Sequence, residues 1–146
     1  MKIAVCGSMV FSPEMLDLRK RLLTKSHEVI LPEFTEDYAK LSSAEKRHEE
    51  STRNKIKHDL IAGYFHKIRE SDAILVYNQT RKGIENYVGG NTFLEMGFAH
   101  VLGKLIFMQF PIPFMSYRDE MGAMHPIVIN GDLERIASTA SPTKIS

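Results

Sequence analysis

The chain has 146 residues, the size of one ordinary domain and enough to bury a substantial core. Its 43% hydrophobic and 25% charged content suits a soluble globular protein. Nineteen basic against eighteen acidic residues leave a net charge of +1, which argues against a nucleic-acid or membrane surface built on bulk charge.

Cys6 is the single cysteine, so no internal disulfide framework exists and a reducing compartment is expected. The start runs directly into Lys2-Ile3-Ala4-Val5, without the charged-then-apolar-then-small pattern of a leader peptide. The apolar runs are strand-sized and far short of a membrane span. A cytoplasmic location is the expectation.

Lys2 to Cys6 reads as a first strand ending in Gly7-Ser8. A helix is predicted from Pro13, with Ser12 as its N-cap and Met15, Leu18, Leu22 and Leu23 as its buried face. His27 to Leu31 is a second strand, stopped by Pro32. From Ser43 one long helical stretch is predicted, charged nearly all round in its first half. Its second half carries Ile56, Leu60, Ile61, Tyr64, Phe65 and Ile68 as a core-facing stripe.

Ala73 to Tyr77 is almost wholly apolar, as a central parallel strand should be. Thr92 to Leu102 forms the next helix, capped at its end by Gly103. Leu105 to Phe110 is a fourth strand, Tyr117 to Met124 a short helix, and Ile127 to Asn130 a fifth strand. A last short helix starts at Gly131-Asp132-Leu133.

Strands alternating with helices predict an α/β fold of three layers. The expected core is a five-stranded parallel flavodoxin-like sheet, order 2-1-3-4-5, in a single domain over 1–137 with a frayed tail at 138–146. Ligands of such sheets bind at the carboxyl ends of the strands, near the point where strand order reverses. That rule gathers Cys6-Gly7-Ser8, Asn78 to Asn91 and Phe110 to Pro113 on one rim, with Asn78 to Gly103 closing a small-molecule pocket.

Gly7-Ser8 reads either as a small anion cradle or as a tight strand-to-helix turn. Neither GxGxxG nor GxxxxGK[ST] occurs, and no cofactor is expected. Gly89-Gly90 ahead of a helix can offer backbone N–H groups to a ligand, with Asn91 or Thr92 as the cap. Asn78, Tyr87 and Asn91 suit sugar hydroxyls or a base edge. Glu95 is the only charged residue between Glu85 and Lys104, set among Phe93, Leu94, Met96 and Phe98. It is expected in the first turn of its helix, where a carboxylate is favoured even without a catalytic task. At the end of a sheet pocket the same carboxylate can act as nucleophile or base.

His58, His66, His100 and His125 are too scattered for a zinc pattern, so no metal is expected. Lys55, Lys57, Lys67 and Arg69 are expected on a solvated helix face, and Cys6 as a buried small residue beside the pocket.

Three stretches together resemble the nucleoside 2-deoxyribosyltransferase superfamily, which includes the 2′-deoxynucleoside 5′-phosphate N-hydrolases. They are Ala4-Val5-Cys6-Gly7-Ser8, Ile68-Arg69-Glu70-Ser71-Asp72-Ala73-Ile74-Leu75-Val76, and Gly90-Asn91-Thr92-Phe93-Leu94-Glu95-Met96-Gly97-Phe98-Ala99 with Gly103-Lys104. The glutamate followed by x-Gly and a small-residue helix is the specific part. The resemblance implies that Glu95 attacks the anomeric carbon of a deoxyribosyl group. It also implies that Cys6-Gly7-Ser8 binds the sugar or its 5′-phosphate, and that a homodimer completes the site. An aspartate of that family's pattern is missing: Tyr64 stands at its position, and Asp59 is more than a helical turn away. Tyr64 or His66 could take over, and loss of the acid would cost catalysis roughly 10²–10⁴-fold.

The leading expectation is therefore cleavage or transfer of an N-glycosidic bond in a nucleoside or nucleoside 5′-monophosphate, with no nucleic-acid or membrane partner. Glu95 and Tyr64 are its catalytic candidates. Cys6, Gly7, Ser8, Asn78, Gly89, Gly90 and Asn91 are its substrate ligands. A non-catalytic nucleotide-binding or sensing module is the alternative, with cleavage of NAD or another nucleotide derivative behind it.

Overall fold

A computed structural model describes residues 1–138. The tail expected over 138–146 lies, apart from its first residue, outside the described residues. The sheet is five-stranded with order β2-β1-β3-β4-β5 and parallel throughout, an α/β flavodoxin-like fold. Its strands are β1 (Lys2–Gly7), β2 (Glu28–Ile30), β3 (Ala73–Tyr77), β4 (Leu105–Met108) and β5 (Ile127–Val128). Helices α1 (Ser12–Leu23), α2 (Thr35–Ala39), α3 (Ala44–Lys57), α4 (Leu60–Arg69), α5 (Gly90–Val101), α6 (Arg118–Ala123) and α7 (Glu134–Ser138) complete it.

The pleat sorts the central strands into two cores, because successive side chains point to opposite faces. Ala4, Cys6, Ile74, Val76, Ile106 and Met108 face one way, beneath Tyr64 and Ile68 of α4 and Met96 and Ala99 of α5. Ile3, Val5, Ala73, Leu75 and Phe107 face the other, against Met15, Leu18 and Leu22 of α1 and Ile136 of α7. Cys6 thus lies directly under the helices that carry Tyr64 and Glu95.

The long helix expected from Ser43 is two. Asp59 accepts from the Ala62 amide at 3.1 Å and so caps a new helix, α4, while His58 is extended. A side chain that caps offers the backbone an alternative to continuing the helix. Because of the break, Ile56 and Ile61 do not join the core stripe and are exposed, whereas Tyr64 and Ile68 are buried. Leu23 likewise leaves the buried face of α1.

Other boundaries shift for local reasons. Ser12 is inside α1, its hydroxyl donating to the Met9 carbonyl of a short 3₁₀ turn over Met9–Phe11. Helix α5 begins two residues earlier than expected, at Gly90, and its cap position is Gly89 with no side-chain cap, so neither Asn91 nor Thr92 caps it. Glu95 consequently sits in the second turn, beyond most of the helix-terminus field that would welcome it. At the other end Gly103 does stop the helix. Its φ is +70°, its amide bonds to the His100 carbonyl at 3.1 Å, and Lys104 bonds back to Ala99 at 2.8 Å.

Candidate functional site

Two adjoining hollows open at the carboxyl end of the sheet, where strand order reverses between β1 and its neighbours. They share Gly7, Met9, Ser51, Lys55 and Asn91 and so form one cavity with two chemically different ends. The carboxylate end adds Glu95, Tyr64, Glu33, Tyr38 and Lys67. The cationic end adds Ser8, Arg81, Lys82, His48, Gly89 and Gly90.

Glu95 reaches the carboxylate end because α5 buries Thr92, Glu95, Met96 and Ala99 along one face. Its side chain is 5% exposed. Burial raises its carboxyl from the ordinary 4.5 to about 8, and the Cys6 thiol and the Lys55 ammonium pull in the other direction. With only the Cys6 thiol and the Lys55 ammonium favouring its charged form, a carboxylate this dry is poorly compensated.

Cys6 stands behind Glu95. It is fully buried and lines neither end of the cavity. Burial, then the neighbouring Glu95, push its thiol well up, so the proton stays on sulfur. The thiol donates to the Ala4 carbonyl at 3.9 Å. Tyr64 lines the cavity, but its hydroxyl donates to the Val5 carbonyl, with the Ile30 carbonyl at 3.3 Å. Burial, then Cys6 and Glu95, raise this phenol well above its ordinary value. Its proton is directed at the backbone of β1 and β2, not at the cavity.

The cationic end is built by a turn. Lys82 and Gly83 have φ of 54° and 73°, and Arg81 and Ile84 exchange backbone hydrogen bonds of 3.0 and 2.9 Å around them. Two successive positive φ values mark a two-residue I′ hairpin. That hairpin aims the Arg81 side chain at Ser8, where Nη1 donates to the hydroxyl at 2.7 Å across a sequence separation of 73. Lys82 lies 5.8 Å from the Tyr87 ring centroid. Across the opening, burial and then Arg81, Lys82 and Lys55 lower the pKa of His48. The exposed Gly90 amide at the start of α5 adds a donor of the same sign.

No protein-family model matches the chain, and no curated protein matches it. Among solved structures it is similar to the CMP N-glycosidase BcmB of Clostridium botulinum. The identity is 17%, 89% of this chain and 90% of that chain are covered, and the TM-score is 0.47. A likeness of that degree carries no argument about chemistry, which has to come from the cavity.

The expected site residues divide four ways. Glu95, Tyr64, Gly7 and Asn91 meet at the carboxylate end, and Gly7, Ser8, Gly89, Gly90 and Asn91 at the cationic end. Cys6 stands behind. Asn78 lies outside both: it is fully buried, and its amide is engaged with the backbone of Asn86, Phe110 and Pro111. Gly7 is also needed for packing, since a Cβ there would lie 2.5 Å from Met15 Cε and 3.0 Å from the Tyr77 carbonyl.

Arg81, Lys82, His48 and Glu33 are not among the residues the sequence singles out, whereas Lys55 is exposed as expected and yet lines the cavity, as half-buried Lys67 also does. The signal for the first two was available: adjacent cations and a glycine in the loop after β3, on the ligand-binding rim. No helix of the described residues is long and apolar enough to cross a membrane, and none of their His, Cys, Asp and Glu side chains group to hold a metal ion.

Proposed function

We propose that the protein cleaves the N-glycosidic bond of a nucleoside 5′-monophosphate, with Glu95 as the nucleophile. One observation carries this reading: a buried, under-compensated carboxylate lies at one end of a cavity whose other end holds Arg81, Lys82 and His48, with Lys55 shared between the two. A phosphate taken by the cations directs the attached sugar toward Glu95. The resemblance of the α5 motif to the deoxyribosyltransferase superfamily supports the same assignment.

The chemistry follows from the electrostatics. As the C1′–N bond lengthens, the bonding pair leaves with the base and C1′ becomes oxocarbenium-like. The positive charge developing at C1′ favours the ionised form of Glu95 that burial disfavours, so their attraction is stronger in the transition state than before it. One carboxylate oxygen bonds to C1′. Water cleaves the resulting ester, returning Glu95 and leaving the sugar phosphate. A second acceptor in place of water would make the reaction a transfer.

Base release from a panel of ribo- and deoxyribonucleoside 5′-monophosphates and the parent nucleosides tests the reading. The expected result is release from at least one monophosphate, far slower release from its nucleoside, and none with Glu95→Gln. Binding across the panel with no release by the intact protein would favour the non-catalytic nucleotide-binding alternative.

A further inference from the structure

With phosphate at the cationic end and C1′ at Glu95, the base is left the remainder of the carboxylate end, bordered by Pro32, Tyr38, Leu60, Gly63 and Lys67. Much of that border is one stripe of α4. Leu60, Gly63, Tyr64 and Lys67 all line the cavity, and their i, i+3, i+4, i+7 spacing puts them on a single face of the helix.

Gly63 is the anomaly on that face. A glycine inside a helix is less stable than an alanine, because it gives up more backbone freedom on folding. Nothing in the backbone calls for it here. The Gly63 amide makes an ordinary helical bond to the Asp59 carbonyl at 3.0 Å, and its φ is not positive. Nothing in the packing calls for it either, since a Cβ at Gly63 would meet no atom within 4 Å. Gly7, where a Cβ would strike Met15, and Gly103, whose backbone is left-handed, are explained in those two ways. Gly97 and Gly122 also stand in helices with open space beside them, but they line neither end of the cavity. The space that Gly63 leaves open is cavity.

Tyr38 borders the same end from α2. It is 1% exposed, and its hydroxyl accepts from the Asn54 amide at 2.9 Å while none of the described residues takes its own proton. A buried donor without an acceptor is costly, and a ligand that brings the acceptor removes that cost. Burial raises the phenol above its ordinary value, so the proton is still present at the pH where Glu95 ionises.

Resting on the glycosidase reading, we infer that Gly63 is the residue that admits the base: its missing side chain leaves the space against α4 that the base fills, and the Tyr38 hydroxyl donates to an acceptor on the base's edge. Helix stability is given up at Gly63 for room in the site. A side chain there competes with the base for volume, and the competition grows with the size of the side chain.

The test is calorimetric and uses the Glu95→Gln protein, which is expected to bind nucleotide without releasing base. Its ligands are the nucleoside 5′-monophosphate bound most tightly and the matching ribose or 2-deoxyribose 5-phosphate, which keeps the sugar and phosphate but lacks a base. Adding Gly63→Ala should weaken the nucleotide severalfold, and adding Gly63→Leu should weaken it about 10- to 100-fold. Neither should change binding of the sugar phosphate. Tyr38→Phe should weaken the nucleotide about three- to tenfold, again without effect on the sugar phosphate. Alanine and leucine are better helix formers than glycine, so both Gly63 variants should melt a few degrees higher, which separates lost binding from misfolding. Equal losses for the two ligands, or undiminished nucleotide binding with Gly63→Leu, would overturn the role of Gly63 and leave that of Glu95 intact. Base release by Glu95→Gln at the rate of the unaltered protein, or failure to bind any nucleotide, would overturn the glycosidase reading itself.

Discussion

The Asn78 side chain and the Phe110 backbone are joined in both directions. Nδ2 donates to the Phe110 carbonyl at 2.9 Å, and Oδ1 accepts from the Phe110 amide at 3.0 Å. This pairing ties the end of β3 to the end of β4 and fixes the rim from which the Arg81 hairpin projects. Asn78→Ala would leave the Phe110 amide without its partner, at a cost of about 1–3 kcal/mol. Urea unfolding should register that loss, while ligand affinity of the folded protein changes little. A loss of affinity at unchanged stability would instead make Asn78 a ligand.

Arg81 is expected to act on phosphate alone. Arg81→Ala should weaken binding of a nucleoside 5′-monophosphate by about 10- to 100-fold, the worth of one charge-assisted hydrogen bond. Binding of the parent nucleoside should not change. Calorimetric titration at two salt concentrations checks both points, since the phosphate contribution should also shrink with added salt.

The Lys82-Gly83 turn gives a separate handle on the same end. A Cβ on Gly83 meets nothing within 4 Å, so space is no obstacle to substitution, but its φ of +73° is. Gly83→Ala should therefore cost about 1–2 kcal/mol locally. The expected readout is severalfold weaker monophosphate binding with little change in global unfolding.

Glu95 links stability and activity to pH with opposite signs. Its folded value of about 8 lies above the ordinary 4.5, so between those pH values the folded state holds a proton that the unfolded chain has lost. Stability from this group is complete below the unfolded value and falls as pH rises through the window. The ionised nucleophile, by contrast, accumulates toward and beyond pH 8, and kcat/KM should rise there. Glu95→Gln should raise Tm over the parent above pH 8, with the gain shrinking as pH falls and vanishing below about pH 5. Differential scanning fluorimetry across that range checks it.

The sheet was legible because each strand leaves a local mark. Ala73 to Tyr77, apolar throughout, becomes β3 with the same limits, and the Gly103 stop holds because its left-handed backbone is a local requirement. What escaped depends on contacts far apart in the chain. Nothing near Lys55 says that its helix breaks at Asp59 and that it lines the same cavity as Glu95. Glu33 looks like a solvated turn residue until the strand order sets β2 beside β1. Asn78 looked like a ligand because an asparagine at a strand end suits either a sugar or a backbone, and only the Phe110 pairing distinguishes them.

The central claim is that Glu95 bonds to the sugar during turnover. The direct measurement is mass spectrometry of acid-quenched reactions under saturating substrate, with the peptide bearing Glu95 mapped. The predicted result is a transient mass increase of one sugar phosphate on Glu95, absent with Glu95→Ala, which also stops releasing base. Base release by Glu95→Ala at the rate of the unaltered protein would contradict it.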